Sequence, residues 1–240
     1  MRTIICEDYE QLSKTAADII RGTIQGKPDC ILGLATGSTP VGMYRELVRM
    51  HREEGLSFAR VSTYNLDEYY PIRKNNDQSY DYFMHHNLWD HVDLAPDAVH
   101  VPNGETDDPA EEGKRYDRML QVVGGVDVQV LGIGENGHIG FNEPDDALVA
   151  GTHMTALTES TIHANARFFA SEKEVPTHAI TMGMASILSA KTILLLISGE
   201  KKRDAYRAMT DDLVTPHIPA TFLKLHRDVI ILCDKAAAGI

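Results

Sequence analysis

Apolar residues recur along this chain with two distinct patterns. Leu12, Ala16, Ile19, Ile20 and Ile24 repeat at helical spacing, and so do Val41, Tyr44, Leu47, Val48 and His51. Each set marks an amphipathic helix with one buried stripe. Between them, residues 30–35 form a continuous apolar run, too short for a helix and bounded by turn residues. Runs of the same kind occupy 61–66, 126–133, 179–182, 192–197 and 229–233. Strands that are apolar on both faces must be covered on both, which is the condition of a mostly parallel sheet between helical layers. Asp108-Pro109 followed by Glu111 and Glu112 predicts a capped helix running from 109 toward Val123. No linker, repeat or low-complexity tract interrupts the pattern, so a single α/β domain over 1–240 is expected. Residues 144–161 are the least regular, and 144–170 is the stretch expected to act as a lid over a site.

Composition narrows the possible partners. The 240 residues carry 23 Lys and Arg against 35 Asp and Glu, a formal net charge of −12. That balance disfavours nucleic acid, whose nonspecific binding depends on cationic side chains neutralising phosphates. It leaves room for a small anion held by a few local groups. The apolar runs are far shorter than the roughly 18 residues that span a membrane, and the N-terminus turns acidic at once at Glu7-Asp8. Cys6, Cys30 and Cys233 are odd in number and form no Cys-x-x-Cys pair, so a reduced, cytoplasmic chain is expected.

In open α/β sheets ligands bind beyond the carboxyl ends of the strands. Three strand ends carry chemistry. The first is Thr36-Gly37-Ser38-Thr39-Pro40, leading from a strand into a helix. Gly37 permits a tight turn, Ser38 or Thr39 is expected to cap the helix, and the unpaired N–H groups of the helix start suit a phosphate. No Gly-Lys-Ser/Thr follows, so ATP is not implied. The second is Asn65-Leu66-Asp67-Glu68-Tyr69-Tyr70, where aromatics could strip water from Asp67 and raise its pKa toward that of a general base; a solvated turn is the plainer alternative. The third runs from Gly132 to Pro144. Gly132, Gly134 and Gly137 satisfy G-x-G-x-x-G, but Gly140 and Pro144 would break the helix that a dinucleotide fold requires. What remains is a polar loop placing Asn136, His138, Asn142 and Glu143 within eight residues, an oriented histidine beside a carboxylate. Two cations add to these. Arg167 sits among apolar and aromatic neighbours, where a guanidinium needs an anionic partner, and Lys202 follows a strand at another turn into a helix.

Taken together, Leu34 to Pro40, Asn65 to Tyr69, Gly132 to Pro144 and Ala166-Arg167-Phe168-Phe169 resemble the glucosamine-6-phosphate deaminase family, in order and over essentially the whole chain. The resemblance implies a Rossmann-like three-layer sandwich and conversion of glucosamine 6-phosphate and water to fructose 6-phosphate and ammonia, with no metal or redox cofactor. It implies that His138 opens the pyranose ring, with Glu143 and Asn136 tuning the imidazole, and that Asp67 moves a proton between C2 and C1. It further implies that Thr36, Gly37, Ser38, Thr39, Arg167 and Lys202 hold the substrate phosphate, Lys201 being the competing neighbour for the last role. A 6-phosphogluconolactonase, with a related fold and a similar Gly-His loop, is the nearest alternative; a non-catalytic sugar-phosphate-binding module is another.

Two departures from the family pattern have consequences. Many relatives carry Asp where this chain has Asn136, and an amide cannot ionise. Asn136→Asp is expected to retain activity and to hold the His138 proton to higher pH, so an unchanged pH–rate profile would count against the coupling. In addition, residues 145–155 contain no Lys or Arg where long hexameric members bind an activator, and the chain stops at Ile240. An unregulated monomer is expected; sigmoidal kinetics relieved by N-acetylglucosamine 6-phosphate would contradict it.

Overall fold

The computed structural model describes residues 1–166, 169, 171 and 174–240. In chain order its elements are β1 (Arg2–Cys6), α1 (Tyr9–Gly26), β2 (Ile31–Leu34), α2 (Val41–Glu54), β3 (Ser62–Asn65), β4 (Asp67–Tyr70), α3 (Tyr80–Asn87), β5 (Val99–His100) and α4 (Pro109–Val122). They continue with β6 (Val128–Leu131), β7 (His153–Ala156), α5 (Glu159–Asn165), β8 (His178–Thr181), α6 (Met184–Leu188), β9 (Thr192–Ile197), α7 (Arg203–Thr210), β10 (Val229–Asp234) and α8 (Lys235–Ala238).

Seven strands form one sheet in the order β1-β10-β9-β6-β2-β3-β5, and every neighbouring pair is parallel. The apolar runs explain the centre of it: β9 from Ile193 onward and the whole of β10 are buried, as is β6. Helices α1 and α2 pack against each other, while α4 packs against β7 and β8 of a second sheet. The chain moves outward through β2, β3 and β5 and returns through β6, β9 and β10. The direction therefore reverses between β2 and β6, where an open sheet forms its ligand crevice. The helix predicted after Asp108 is present, with the Asp108 carboxylate accepting from the N–H groups of Ala110 and Glu111. Among the described residues no helix is long and apolar enough to cross a membrane.

Two expectations need correction. Residues 179–182 do not join the parallel sheet: β8 is the centre of a second, antiparallel sheet ordered β4-β8-β7. Its apolar character reflects burial under an aromatic cluster (Tyr69, Ile72, Phe141, Leu157 and Ala179, with Tyr80 and Phe169 packed against it), which a parallel strand and a sandwiched antiparallel strand cannot be told apart by. Residues 144–161 are also less irregular than expected, because β7 pairs with β8 there and α5 begins at Glu159. β7 escapes notice because its two exposed positions alternate with half-buried ones and no apolar run results.

Candidate active site

The small sheet grows directly out of the large one. β3 ends at Asn65 and, after Leu66, the chain enters β4 at Asp67, with the Leu66 N–H donating to the Leu34 carbonyl and the Leu66 carbonyl accepting from Met182. Asp67 is thereby held at the carboxyl end of β3 and is only 6% exposed. Burial, reinforced by the neighbouring Glu68, pushes its carboxyl up to about 8. The solvated-turn alternative does not describe this position. Burial lifts Glu68 as well, but three backbone N–H groups, of Tyr69, Tyr80 and Asp81, donate to its carboxyl at 2.9, 2.9 and 3.0 Å and act in the opposite sense. Glu68 thus ties the start of α3 to β4, and sequence reading gave it no such role.

The loop after β6 lies over Asp67. Gly140 takes φ +58°. A Cβ there would stand 2.9 Å from Thr181 Oγ1 and 3.4 Å from Asp67 Oδ2, so the backbone approaches the carboxyl as only glycine allows. Phe141 N–H donates to Thr181 Oγ1 at 3.1 Å, and Asn142 Nδ2 donates to the Ile139 and Met182 carbonyls. No helix follows Gly137, in keeping with the rejected dinucleotide motif.

Within this loop Glu143 is a hub. Its carboxylate lies 3.2 Å from His138 Nδ1, accepts from Asn136 Nδ2 at 2.7 Å and accepts from Thr161 Oγ1 at 2.5 Å. Burial alone would raise this carboxyl, its side chain being 9% exposed, yet His138, Thr161 and Asn136 together hold it down at about 2. Asn136 also accepts from the His138 N–H at 3.2 Å, so the four residues form one network. With Nδ1 facing Glu143, Nε2 is the ring atom left for a ligand. Thr161, far along the chain, carried no signal in the sequence. The imidazole lies flat against Gly134, where a Cβ would collide with its ring. Gly134→Ala is expected to lower turnover at least about tenfold by displacing the imidazole, with the fold retained by circular dichroism.

The turn between β2 and α2 presents Thr36, Gly37, Ser38 and Thr39. Gly37 has φ +92°, as the tight turn requires. Neither Ser38 nor Thr39 caps the helix: Pro40 occupies the cap position and no side chain bonds there. The turn is instead braced from outside, by Tyr9 donating toward the Ser38 and Thr39 carbonyls and accepting from Gly42 N–H, and by Tyr44 donating to the Ala35 carbonyl. Ser38 and Thr39 line a cavity of about 360 Å³ together with Tyr9, Val41, Arg45 and Ser198. Ser198 and Gly199 begin the turn after β9, both bonded to Asp234, and this turn leads to Lys202 at the start of α7. Arg45 adds a cation that sequence reading overlooked, being a helix-surface residue without a motif. Arg167 lies outside the described residues. A larger cavity of about 780 Å³ opens beside Ile72, Arg73 and Phe169, yet Asp67, His138 and Glu143 do not line it.

A cavity at a helix start, a buried carboxyl that holds its proton and an oriented histidine, at the reversal point of a parallel sheet, define a candidate acid–base site for a small metabolite. The chain belongs to the family of glucosamine-6-phosphate isomerases and 6-phosphogluconolactonases, whose model matches residues 7–231. It is 53% identical over 240 residues to glucosamine-6-phosphate deaminase of Clostridioides difficile strain 630, covering 100% of this chain and 96% of that one. A solved structure described as a monomeric glucosamine-6-phosphate deaminase superposes with a TM-score of 0.98 at 46% identity, covering 100% and 99% of the two chains. A 6-phosphogluconolactonase from Trypanosoma cruzi shares the fold, with a TM-score of 0.79 at 18% identity over 99% and 96%.

Proposed function

We propose that this protein converts glucosamine 6-phosphate and water to fructose 6-phosphate and ammonia. The observation that carries the reading is Asp67, a buried carboxyl with a raised pKa under the His138 loop, in a chain 53% identical to a deaminase of that name. The Ser38 and Thr39 hydroxyls, with Lys202, Arg45 and Arg167, take the phosphate and fix the register of the sugar. His138, held through Nδ1 by Glu143, transfers a proton at the ring oxygen through Nε2 and opens the pyranose. Asp67 as carboxylate then takes the C2 proton and returns it at C1, so that the C2–N bond becomes a ketimine. Water hydrolyses the ketimine, leaving the C2 ketone and ammonia. Each positioned proton transfer is worth about 10²–10⁴-fold in rate. In this reading residues 144–170 cover the bound sugar, and the protein acts as a cytoplasmic monomer.

Purified protein incubated with glucosamine 6-phosphate is expected to release ammonia and fructose 6-phosphate in equal amounts, with hyperbolic kinetics. No ammonia, or hydrolysis of 6-phosphogluconolactone in its place, would overturn the assignment.

A further inference from the structure

Tyr9 is the first residue of α1, yet its phenol belongs to the turn after β2. The hydroxyl accepts from Gly42 N–H at 2.8 Å and lies 3.1 Å from both the Ser38 and the Thr39 carbonyl oxygens, which share its one proton. It thereby satisfies one of the N–H groups at the start of α2 that have no partner within the helix. The phenol reaches this place because α1 and α2 meet with no side chain between them at Gly42. A Cβ there would collide with Ser13 Oγ and stand 3.0 Å from the Tyr9 oxygen. Asp8, accepting from Gln11 N–H at 2.8 Å, caps α1 and fixes where the helix begins. A trans peptide is planar, with its N–H opposite its C=O, so anchoring the Ser38 carbonyl on Tyr9 turns the Thr39 N–H away from the phenol. Among the described residues no acceptor meets that N–H.

We propose that Tyr9 is a positioning residue that sets the shape of the turn at Ser38 and Thr39 for the substrate phosphate. The inference rests on the deaminase reading above. The phenol acts through the turn, since its proton is committed to the two carbonyls. Those oxygens would repel an anion, and holding them on the α1 side leaves the turn ready to present N–H to the ligand without first rearranging. The phosphate takes no part in bond making, so its grip is the same in the bound sugar and in the transition state. Loss of that grip therefore falls on KM and spares kcat. The hydrogen bonds of the phenol reach none of Asp67, His138 or Glu143, so proton transfer is left as it is.

The test compares the unaltered protein with Tyr9→Phe, which keeps the ring and removes the hydroxyl. Ammonia release by the unaltered protein checks the underlying reading, while the affinity for inorganic phosphate, measured by calorimetry, tests the inference without any turnover. Tyr9→Phe is expected to weaken inorganic phosphate binding and to raise KM for glucosamine 6-phosphate together, each about tenfold, with kcat within about threefold. The pH at which kcat/KM climbs should stay where it is, because Asp67 is untouched. Phosphate affinity and KM within about twofold of the unaltered protein would overturn the inference. So would a kcat that falls as far as KM rises, or a displaced pH profile, either of which marks a general loosening of the crevice. If Tyr9→Phe fails to fold, Gly42→Ala decides the same question through the same constants, since its Cβ pushes the phenol off the turn with the hydroxyl kept.

Discussion

Asp67→Asn is expected to reduce ammonia release by at least about 10²–10⁴-fold and, at the same time, to raise the melting temperature at pH 8. The two effects share a cause. The folded protein holds the Asp67 proton up to about pH 8, whereas an unfolded chain releases it near the ordinary value of 3.8. Between those values the native state binds more protons than the unfolded one, so stability falls as pH rises across this window. An amide of the same shape never ionises and escapes that loss. The gain at pH 8 is on the order of 1–3 kcal/mol, or several degrees for a chain of this size. Melting curves at pH 5 and pH 8 check the sign: the variant's advantage must grow with pH. An Asn variant that is inactive and equally destabilised at both would remove the strained-carboxyl account. The same protonation predicts that kcat/KM of the unaltered protein climbs toward about pH 8 as the carboxylate forms.

Glu143→Gln should be the second large effect, with the opposite dependence on pH. Glu143 is held near 2 in the folded protein, below its ordinary 4.5. Its contribution to stability is fully present above about pH 4.5 and is lost as pH falls toward 2. Near neutrality the substitution removes about 3 kcal/mol of linked stability, and the unaltered protein should lose that advantage on acidification. Catalytically, glutamine can still accept from Asn136 or Thr161, but it leaves an imidazolium at His138 without a counter-charge. Turnover is expected to fall about 10²–10³-fold while inorganic phosphate still binds, because the phosphate turn lies on a different strand end. Equal loss of phosphate binding would mean that Glu143 supports the whole crevice instead of the histidine alone.

What could be read from the chain, and what could not, follows the distance over which each feature is encoded. β9 and β10 were legible because continuous burial leaves a continuous apolar record, and the His138–Glu143 pair was legible because five residues separate its members. β4 was not, since Asp67-Glu68-Tyr69-Tyr70 is polar in composition and is buried only because β8 pairs with it. β1 gave no signal for a different reason: four of its five residues are exposed at the sheet edge. Thr161, Thr181 and Tyr80 reach the site from other elements, so no local spacing betrays them. The expected helix cap at Ser38 or Thr39 is absent: Pro40 takes the cap position, and the turn is held by Tyr9, from a helix earlier in the chain, through the Ser38 and Thr39 carbonyls.

The pairing of β1 with β10 bears on how the molecule is made. Arg2 lies opposite Ile230 and Cys6 opposite Asp234, and Lys235 reaches back to Glu7 at 2.6 Å. On the ribosome the first strand has no partner until almost all of the remaining chain has been synthesised. At about 5–20 residues per second, that is a wait of some tens of seconds. The large sheet can assemble outward from β2, β3 and β6 in the meantime, but its other edge closes last. Slow, end-to-end strand closure of this kind makes the first strand the place where a nascent chain is most open to chaperone capture or to a wrong neighbour.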